Sequence, residues 1–149
     1  MVKVLFVCHG NICRSPMAEF VFSNIIAQKG KAKDFYVFSR ATSTEEIGND
    51  MDYRVKSILR KNNIEYTCHT ATQIISDDYE CADYVFAMDG YNLQNLERRF
   101  GKSGKIMLLN YDKEISDPWY TGEFQKAFDD IYSACRKRLE EIIIEKNIS

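Results

Sequence analysis

The chain has 149 residues, 45% of them hydrophobic and 28% charged, with a formal net charge of −2 at pH 7. That length suits one domain over residues 1–149 with a substantial core, and the near-neutral balance gives no electrostatic case for nucleic acid or an anionic membrane as the main partner. No apolar run approaches the roughly 20 residues of a membrane span, Met1 to Val7 lacks the pattern of a signal peptide, and five cysteines without scaffold spacing suit a reducing, cytoplasmic compartment.

The first predicted element is a strand, Val2 to Val7. It runs into Cys8-His9-Gly10-Asn11-Ile12-Cys13-Arg14-Ser15-Pro16, which stops where a helix should start. Five residues between a cysteine and an arginine let the backbone curl into a ring. The N–H groups from His9 to Ser15 then point at one anion, as helix N-termini and backbone nests do. Arg14 closes the ring with a planar fork suited to two phosphate oxygens. A cysteine in so positive a field ionises near neutral pH, and phosphoryl transfer to the Cys8 sulfur is the natural chemistry. Buried cysteines are ordinary core residues, but spacing sets Cys8 apart: the positions six beyond Cys13, Cys68, Cys81 and Cys135 are Glu19, Ile74, Ala87 and Glu141, none an arginine. Gly10 is expected to take positive φ without steric cost, Asn11 is among the few other types that tolerate it, and Pro16 suits the first helical position. Asn11 is expected to brace the loop through its side-chain amide. Ser15 is either a cap for the helix or a donor to the Cys8 thiolate. A Cys8–His9 dyad is rejected, because neighbours on a curled loop point apart.

Met17, Phe20, Val21 and Ile25 form an apolar helical stripe ending near Gly30. A strand at Tyr36–Phe38 follows, then an irregular segment from Ser39 to Met51. Val55, Ile58 and Leu59 mark a second helix, and Cys68-His69 lies in a polar stretch. Tyr84–Met88 reads as the third strand; Leu93, Leu96 and Phe100 mark a helix ending at Gly101. Gly101-Lys102-Ser103-Gly104-Lys105 is a basic turn and no nucleotide loop, since Leu96 stands where the first glycine should be and a helix precedes it. A strand at Ile106–Leu109, an irregular segment from Asn110 to Glu123 and a helix carrying Phe124, Phe128, Ile131, Cys135, Leu139 and Ile142 complete the chain. The strands read as buried on both faces. This alternation predicts an α/β fold, a four-stranded parallel sheet with helices on both faces and right-handed crossovers. Ligands in such sheets bind beyond the carboxyl ends of the strands, so the two irregular segments should wall the Cys8 loop.

A thiolate that displaces a phenolate from phosphorus needs a proton delivered to the leaving oxygen. Asp117 is the candidate: near the Cys8 thiolate and a dianionic substrate a carboxyl group keeps its proton, and once deprotonated it can activate water. Trp119 and Tyr120 are candidates to sandwich a phenyl ring, and residue type alone does not rank them. Cys13, inside the loop, is a candidate disulfide partner that would shield Cys8 from irreversible oxidation. No His, Cys or carboxylate spacing suggests a metal or other cofactor.

Val7 to Pro16, with Asp117-Pro118-Trp119-Tyr120 far downstream in the same order and separation, resembles the low-molecular-weight protein tyrosine phosphatases effectively end to end. The resemblance implies a phosphotyrosine protein phosphatase I-like fold with strand order 2-1-3-4, acting as a monomer or weak homodimer. It implies hydrolysis of phosphotyrosine proteins or small aryl phosphates through a cysteinyl-phosphate, with Cys8 as nucleophile, Arg14 as phosphate clamp and Asp117 as acid and then base. It also favours Ser15 as donor to the thiolate and gives Ser39 and His69 the support of the loop. Two departures stand out: Ser39-Arg40-Ala41-Thr42 replaces the common Ser-Ala-Gly-Thr, and Thr72 stands where an arginine is frequent. In the family the first wall loop borders the aryl cleft, so Glu45 and Glu46 predict a mild preference for basic flanks, with Arg40 the charge that would cancel it. A thiol-linked arsenate reductase of the same fold would need relay cysteines, whereas the chain offers Cys81 with Met88 nearby; a cysteinyl-phosphate carrier or phosphate sensor would not need Arg14 together with Asp117.

Overall fold

The structure, a computed structural model, describes residues 1–149 throughout. Strand β1 (Val2–Cys8) sits at the centre of the sheet, with Val4, Leu5, Phe6 and Val7 all fully buried. It pairs in parallel with β2 (Phe35–Ala41) on one side and β3 (Tyr84–Ala87) on the other, and β3 pairs with β4 (Ile106–Leu108). The order is β2-β1-β3-β4, as the resemblance implied. The helices are α1 (Arg14–Gln28), α2 (Tyr53–Lys61), α3 (Ser76–Cys81), α4 (Gly90–Phe100), α5 (Pro118–Thr121) and α6 (Phe124–Glu145), with a single 3₁₀ turn at Ala32–Asp34. None is long and apolar enough to cross a membrane.

Because alternate residues of a strand face opposite ways, β1 feeds two cores. Val4 and Phe6 pack with α1, α2 and α6 through Met17, Phe22, Leu59, Ile131 and Leu139. Leu5 and Val7 pack on the other face with Ile74, Val85, Leu96 and Ile106. The expectation that every strand is buried on both faces holds for β1 and β3 and fails for the edges. Tyr36 of β2 is 48% exposed, and Met107 and Leu108 of β4 are half-buried, because an edge strand lacks a neighbour and full helix cover. Two short helices escaped the sequence pattern. In α3 only Tyr79 is buried, and Asp78 Oδ2 accepts from the Ile75 amide at 3.0 Å; α5 is a single turn inside the segment expected to be irregular. The first helix begins at Arg14, so Pro16 is its third residue, still within the first turn, where a missing N–H breaks no helical bond.

The carboxyl ends of β1 and β3 carry the site, and the walls are sewn to it through the backbone. Thr42 and Ser43 amides donate to the Cys8 and His9 carbonyls at 2.9 and 3.1 Å, the Asp52 amide to Ile12 O at 2.9 Å, and the Ile115 amide to Met88 O at 2.8 Å. Within the larger core Phe22 meets Phe6 edge-on at 5.5 Å and Phe35 at 6.0 Å. Replacing a fully enclosed ring leaves a cavity, so Phe22→Ala is expected to lower unfolding free energy by about 3–5 kcal/mol. Denaturant titration checks it; a loss below about 1 kcal/mol would contradict the packing described.

Candidate active site

Cys8 ends β1 with 3% of its surface exposed. Its Sγ lies 3.0 Å from Ser15 Oγ and accepts from the Asn11 amide at 3.3 Å. Ser15 therefore faces the sulfur and caps nothing: Cys13 holds the N-cap position, with no side-chain cap bond. Asn11 alone in the loop takes positive φ, at 60°, and Gly10 does not. At Gly10 an added Cβ would stand 3.3 Å from Glu46 Cγ, a close contact with one side chain. The strain at Asn11 is offset by its side chain. Nδ2 donates to Ser15 Oγ at 2.8 Å and Ser39 Oγ at 3.0 Å, while Oδ1 accepts from the Thr72 amide at 3.1 Å.

Arg14 is 3% exposed, and a buried guanidinium requires partners. Nη1 donates to Asp89 Oδ2 at 2.7 Å and to Ile115 O at 2.9 Å; Nη2 reaches Asp117 Oδ2 at 3.4 Å. Burial by itself disfavours the charge, but Cys8, Asp117 and Asp89 outweigh it and hold the guanidinium above its ordinary range. The fork is thus aimed before any ligand arrives. Asp117 Oδ1 accepts from the Trp119 amide at 3.1 Å, so the carboxylate caps α5 while facing the loop.

His69 Nε2 lies 2.7 Å from Asn11 O, and Ser39 Oγ donates to Glu19 Oε1 at 2.7 Å. At the departure Thr72, Asn11 is met by the backbone N–H, which any residue but proline supplies, while the hydroxyl donates to Thr70 O at 2.9 Å. Sequence reasoning missed Glu19 and Asp89. Asp89 carried a signal, an acidic residue just past a strand on the site side of the sheet; Glu19, one polar position on an apolar helix, carried none until Ser39 stood beside it. Burial raises the Glu19 carboxyl above its ordinary value, against the lowering effects of the Ser39 hydrogen bond and the charges of His69 and Arg40.

The loop floors a cleft of about 140 Å³, walled by Glu45 and Glu46 on one side and by Asp117, Trp119 and Tyr120 on the other. Trp119 is 50% exposed and Tyr120 83%, and both line it. His9 turns away from a dyad: its Nε2 pairs with Glu45 Oε2 at 3.0 Å. Arg40 bonds Asp78 at 3.1 Å and lies over Phe38, so it does not answer Glu45; His9 does. Glu46 accepts from Asn49 at 2.6 Å. Cys13 is 4% exposed, and burial first, then the charges of Asp52, Cys8 and Asp117, push its thiol far above the ordinary range.

Fold and site together define an α/β protein whose sheet ends in an anion-sized loop holding a cysteine and a buried arginine. Residues 3–147 match the family model described as "Low molecular weight phosphotyrosine protein phosphatase". The chain is 41% identical over 142 residues to the Gallus gallus low molecular weight phosphotyrosine protein phosphatase, covering 89% of this chain and 88% of that one. It superposes on the crystal structure of YfkJ from Bacillus subtilis with a TM-score of 0.93 at 35% identity, covering 98% and 97% of the two chains. A Drosophila arginine phosphatase also shares the fold, with a TM-score of 0.86 at 31% identity over 94% and 97% of the chains. The chain belongs to the low molecular weight phosphotyrosine protein phosphatase family and is thereby a hydrolase.

A folded-state value raised above the unfolded one means that the Glu19 contribution is fully present below the ordinary value of 4.5 and is lost as pH rises through the folded value. Glu19→Gln is expected to flatten that part of the stability curve. Urea midpoints between roughly pH 4 and 8 check this; parallel curves for the two proteins would contradict it.

Proposed function

We propose that the chain hydrolyses phosphotyrosine and small aryl phosphates through a cysteinyl-phosphate intermediate. The observation that carries this reading is the convergence of Cys8, the Arg14 fork and the Asp117 carboxyl on one cleft whose rim presents two aromatic side chains. The dianion enters the ring of loop N–H groups and takes the Nη2 arm that Asp117 shares at rest, while Asp89 and Ile115 O keep Nη1 in place. The Cys8 thiolate attacks in line. The S–P bond forms, the P–O bond to the phenol breaks, and protonated Asp117 gives its proton to the leaving oxygen. Asp117, now a carboxylate, takes a proton from water; the water oxygen attacks phosphorus, the S–P bond breaks and inorganic phosphate leaves. Ser15 Oγ, 3.0 Å from the sulfur, donates to the departing thiolate.

A carrier would shelter its cysteinyl-phosphate from water, and Asp117 in the cleft argues against shelter. Cys81, the relay a reductase would need, ends α3 and does not line the cleft. Redox sensitivity fits the same loop: peroxide converts the Cys8 thiolate to a sulfenic acid, the Cys13 thiol condenses with it, and a disulfide and water result. A reducing, cytoplasmic setting would then restore the thiolate.

Cys8→Ser is expected to abolish turnover while the protein still binds inorganic phosphate, because the cradle is backbone N–H groups and Arg14; retained turnover removes Cys8 as nucleophile. For Asp117→Asn, kcat/KM should fall by about 10²–10⁴-fold with poor leaving groups such as tyrosine and much less with acidic phenols. Equal losses across the series contradict the general acid, and a preference for phosphoarginine over phosphotyrosine contradicts the substrate class. In Cys13→Ser, inactivation by peroxide should become irreversible where dithiothreitol rescues the parent; equal rescue removes the disulfide reading.

A further inference from the structure

The segment that carries Asp117 is thinly anchored to the body of the protein. Between the buried side chains Ile115 and Phe124, Pro118 alone is buried. Arg54, in the first turn of α2, meets this segment from outside the cleft. Its guanidinium carbon lies 5.4 Å from the Trp119 ring centroid, 4.7 Å from that of Phe124 and 5.8 Å from that of Tyr53. Trp119 stands two residues beyond Asp117 and Phe124 closes the segment at the start of α6, so one cation touches both ends of the turn that follows the acid.

The guanidinium is itself aimed. Asp52, 6% exposed, receives Arg54 Nη2 on Oδ2 at 2.9 Å and Nε on Oδ1 at 3.1 Å, and Oδ1 also accepts the Arg54 amide at 2.8 Å. The Asp52 amide in turn donates to Ile12 O, in the phosphate loop, at 2.9 Å. The side-chain bond to Arg54 lowers the Asp52 carboxyl and raises the guanidinium, which keeps both partners charged. Contacts therefore run without a gap from Ile12 through Asp52 and Arg54 to Trp119 and the acid. Only arginine fits this place, because a planar fork can grip a carboxylate edge-on while its face lies on aromatic rings.

We infer that Arg54 is a positioning residue for the general acid: gripped by Asp52, it clamps Trp119 and Phe124 and so sets where Asp117 stands relative to the phosphate loop. The inference rests on the general-acid reading of Asp117. The Arg54 hydrogen bonds all go to Asp52, whose charge offsets the guanidinium field at the nearby loop residue Cys13, so loss of Arg54 should change anion binding little and weaken the step that needs a well-placed proton. A misplacement of about 1 Å is enough for a large rate effect.

The test measures kcat/KM over a leaving-group series for the parent, Arg54→Met, Arg54→Lys, Asp117→Asn and Arg54→Met/Asp117→Asn, with inhibition by inorganic phosphate alongside. Arg54→Met should lose roughly 10-fold with poor leaving groups and less than about 3-fold with strongly acidic phenols, with phosphate inhibition unchanged. Arg54→Lys should recover little of the loss, and in the Asp117→Asn background Arg54→Met should add none that depends on the leaving group. Asp52→Asn, which keeps a competent helix cap and the amide bond to Ile12 O, should repeat the pattern more weakly and serves if Arg54→Met does not fold. Equal losses across the series, full rescue by lysine or additive effects overturn the inference. Leaving-group dependence in Asp117→Asn but not in Arg54→Met or Asp52→Asn overturns the inference alone; its absence in Asp117→Asn overturns the general-acid reading and the inference with it.

Discussion

One buried charge organises this molecule. The Arg14 guanidinium sits at the first turn of α1 almost without solvent, and a cation there stands only if acceptors surround it. The acceptors come from distant parts of the chain: Asp89 from the end of β3, Ile115 O and Asp117 from the segment after β4. Meeting that demand draws the first helix, the sheet and the far wall together, and it leaves the fork pre-aimed at the mouth of the loop. A ligand oxygen that replaces Asp117 on Nη2 exchanges one anion for another, so binding need not create a new charge pair in a dry site.

Beside the arginine stands a second constraint, the left-handed backbone of Asn11. A residue in that conformation persists when its surroundings over-determine it, and here Ser15, Ser39, Thr72, His69 and the Cys8 sulfur all do so. The same bonds decide where Ser15 points. Its hydroxyl accepts from Asn11, so its one proton is free for the sulfur, and the hydrogen bond to Cys8 depends on an amide four residues away. Glu19 extends the network to the surface side of α1 through Ser39, which ties the loop's support to a carboxyl that burial makes reluctant to ionise.

The far wall is built differently. Its Asp117 carboxylate rests on a one-turn helix with exposed aromatic residues, and cations hold it from two sides, Arg14 at the carboxylate and Arg54 behind the rings. The near wall carries Glu45, whose charge faces His9 rather than the Arg40 that sequence proximity suggested. His9, 48% exposed at the cleft edge, is thus the side chain that meets the Glu45 carboxylate.

Local chemistry made much of this legible in the chain. Cys8, Gly10, Asn11 and Arg14 lie within seven consecutive residues, so short-range backbone geometry alone brings them to one loop, and apolar patterning before and after them marked four strands and the long helices. Residue type named both Gly10 and Asn11 as able to take positive φ; only the structure shows that Asn11 takes it and that Gly10 lies against Glu46, thirty-six positions away. The short helices α3 and α5 left no periodic trace, since one or two turns bury too few side chains to write one. Glu19, Asp89, Asp52 and Arg54 acquired meaning only when the sheet and its crossovers set them against Ser39, Arg14, Ile12 and Trp119. The sequence by itself determined the loop with its cysteine and arginine and the layered α/β plan, all of which follow from neighbours along the chain. Tertiary structure alone decided which charges answer each other across the site, because an ion pair depends on distance in space and the chain records only order.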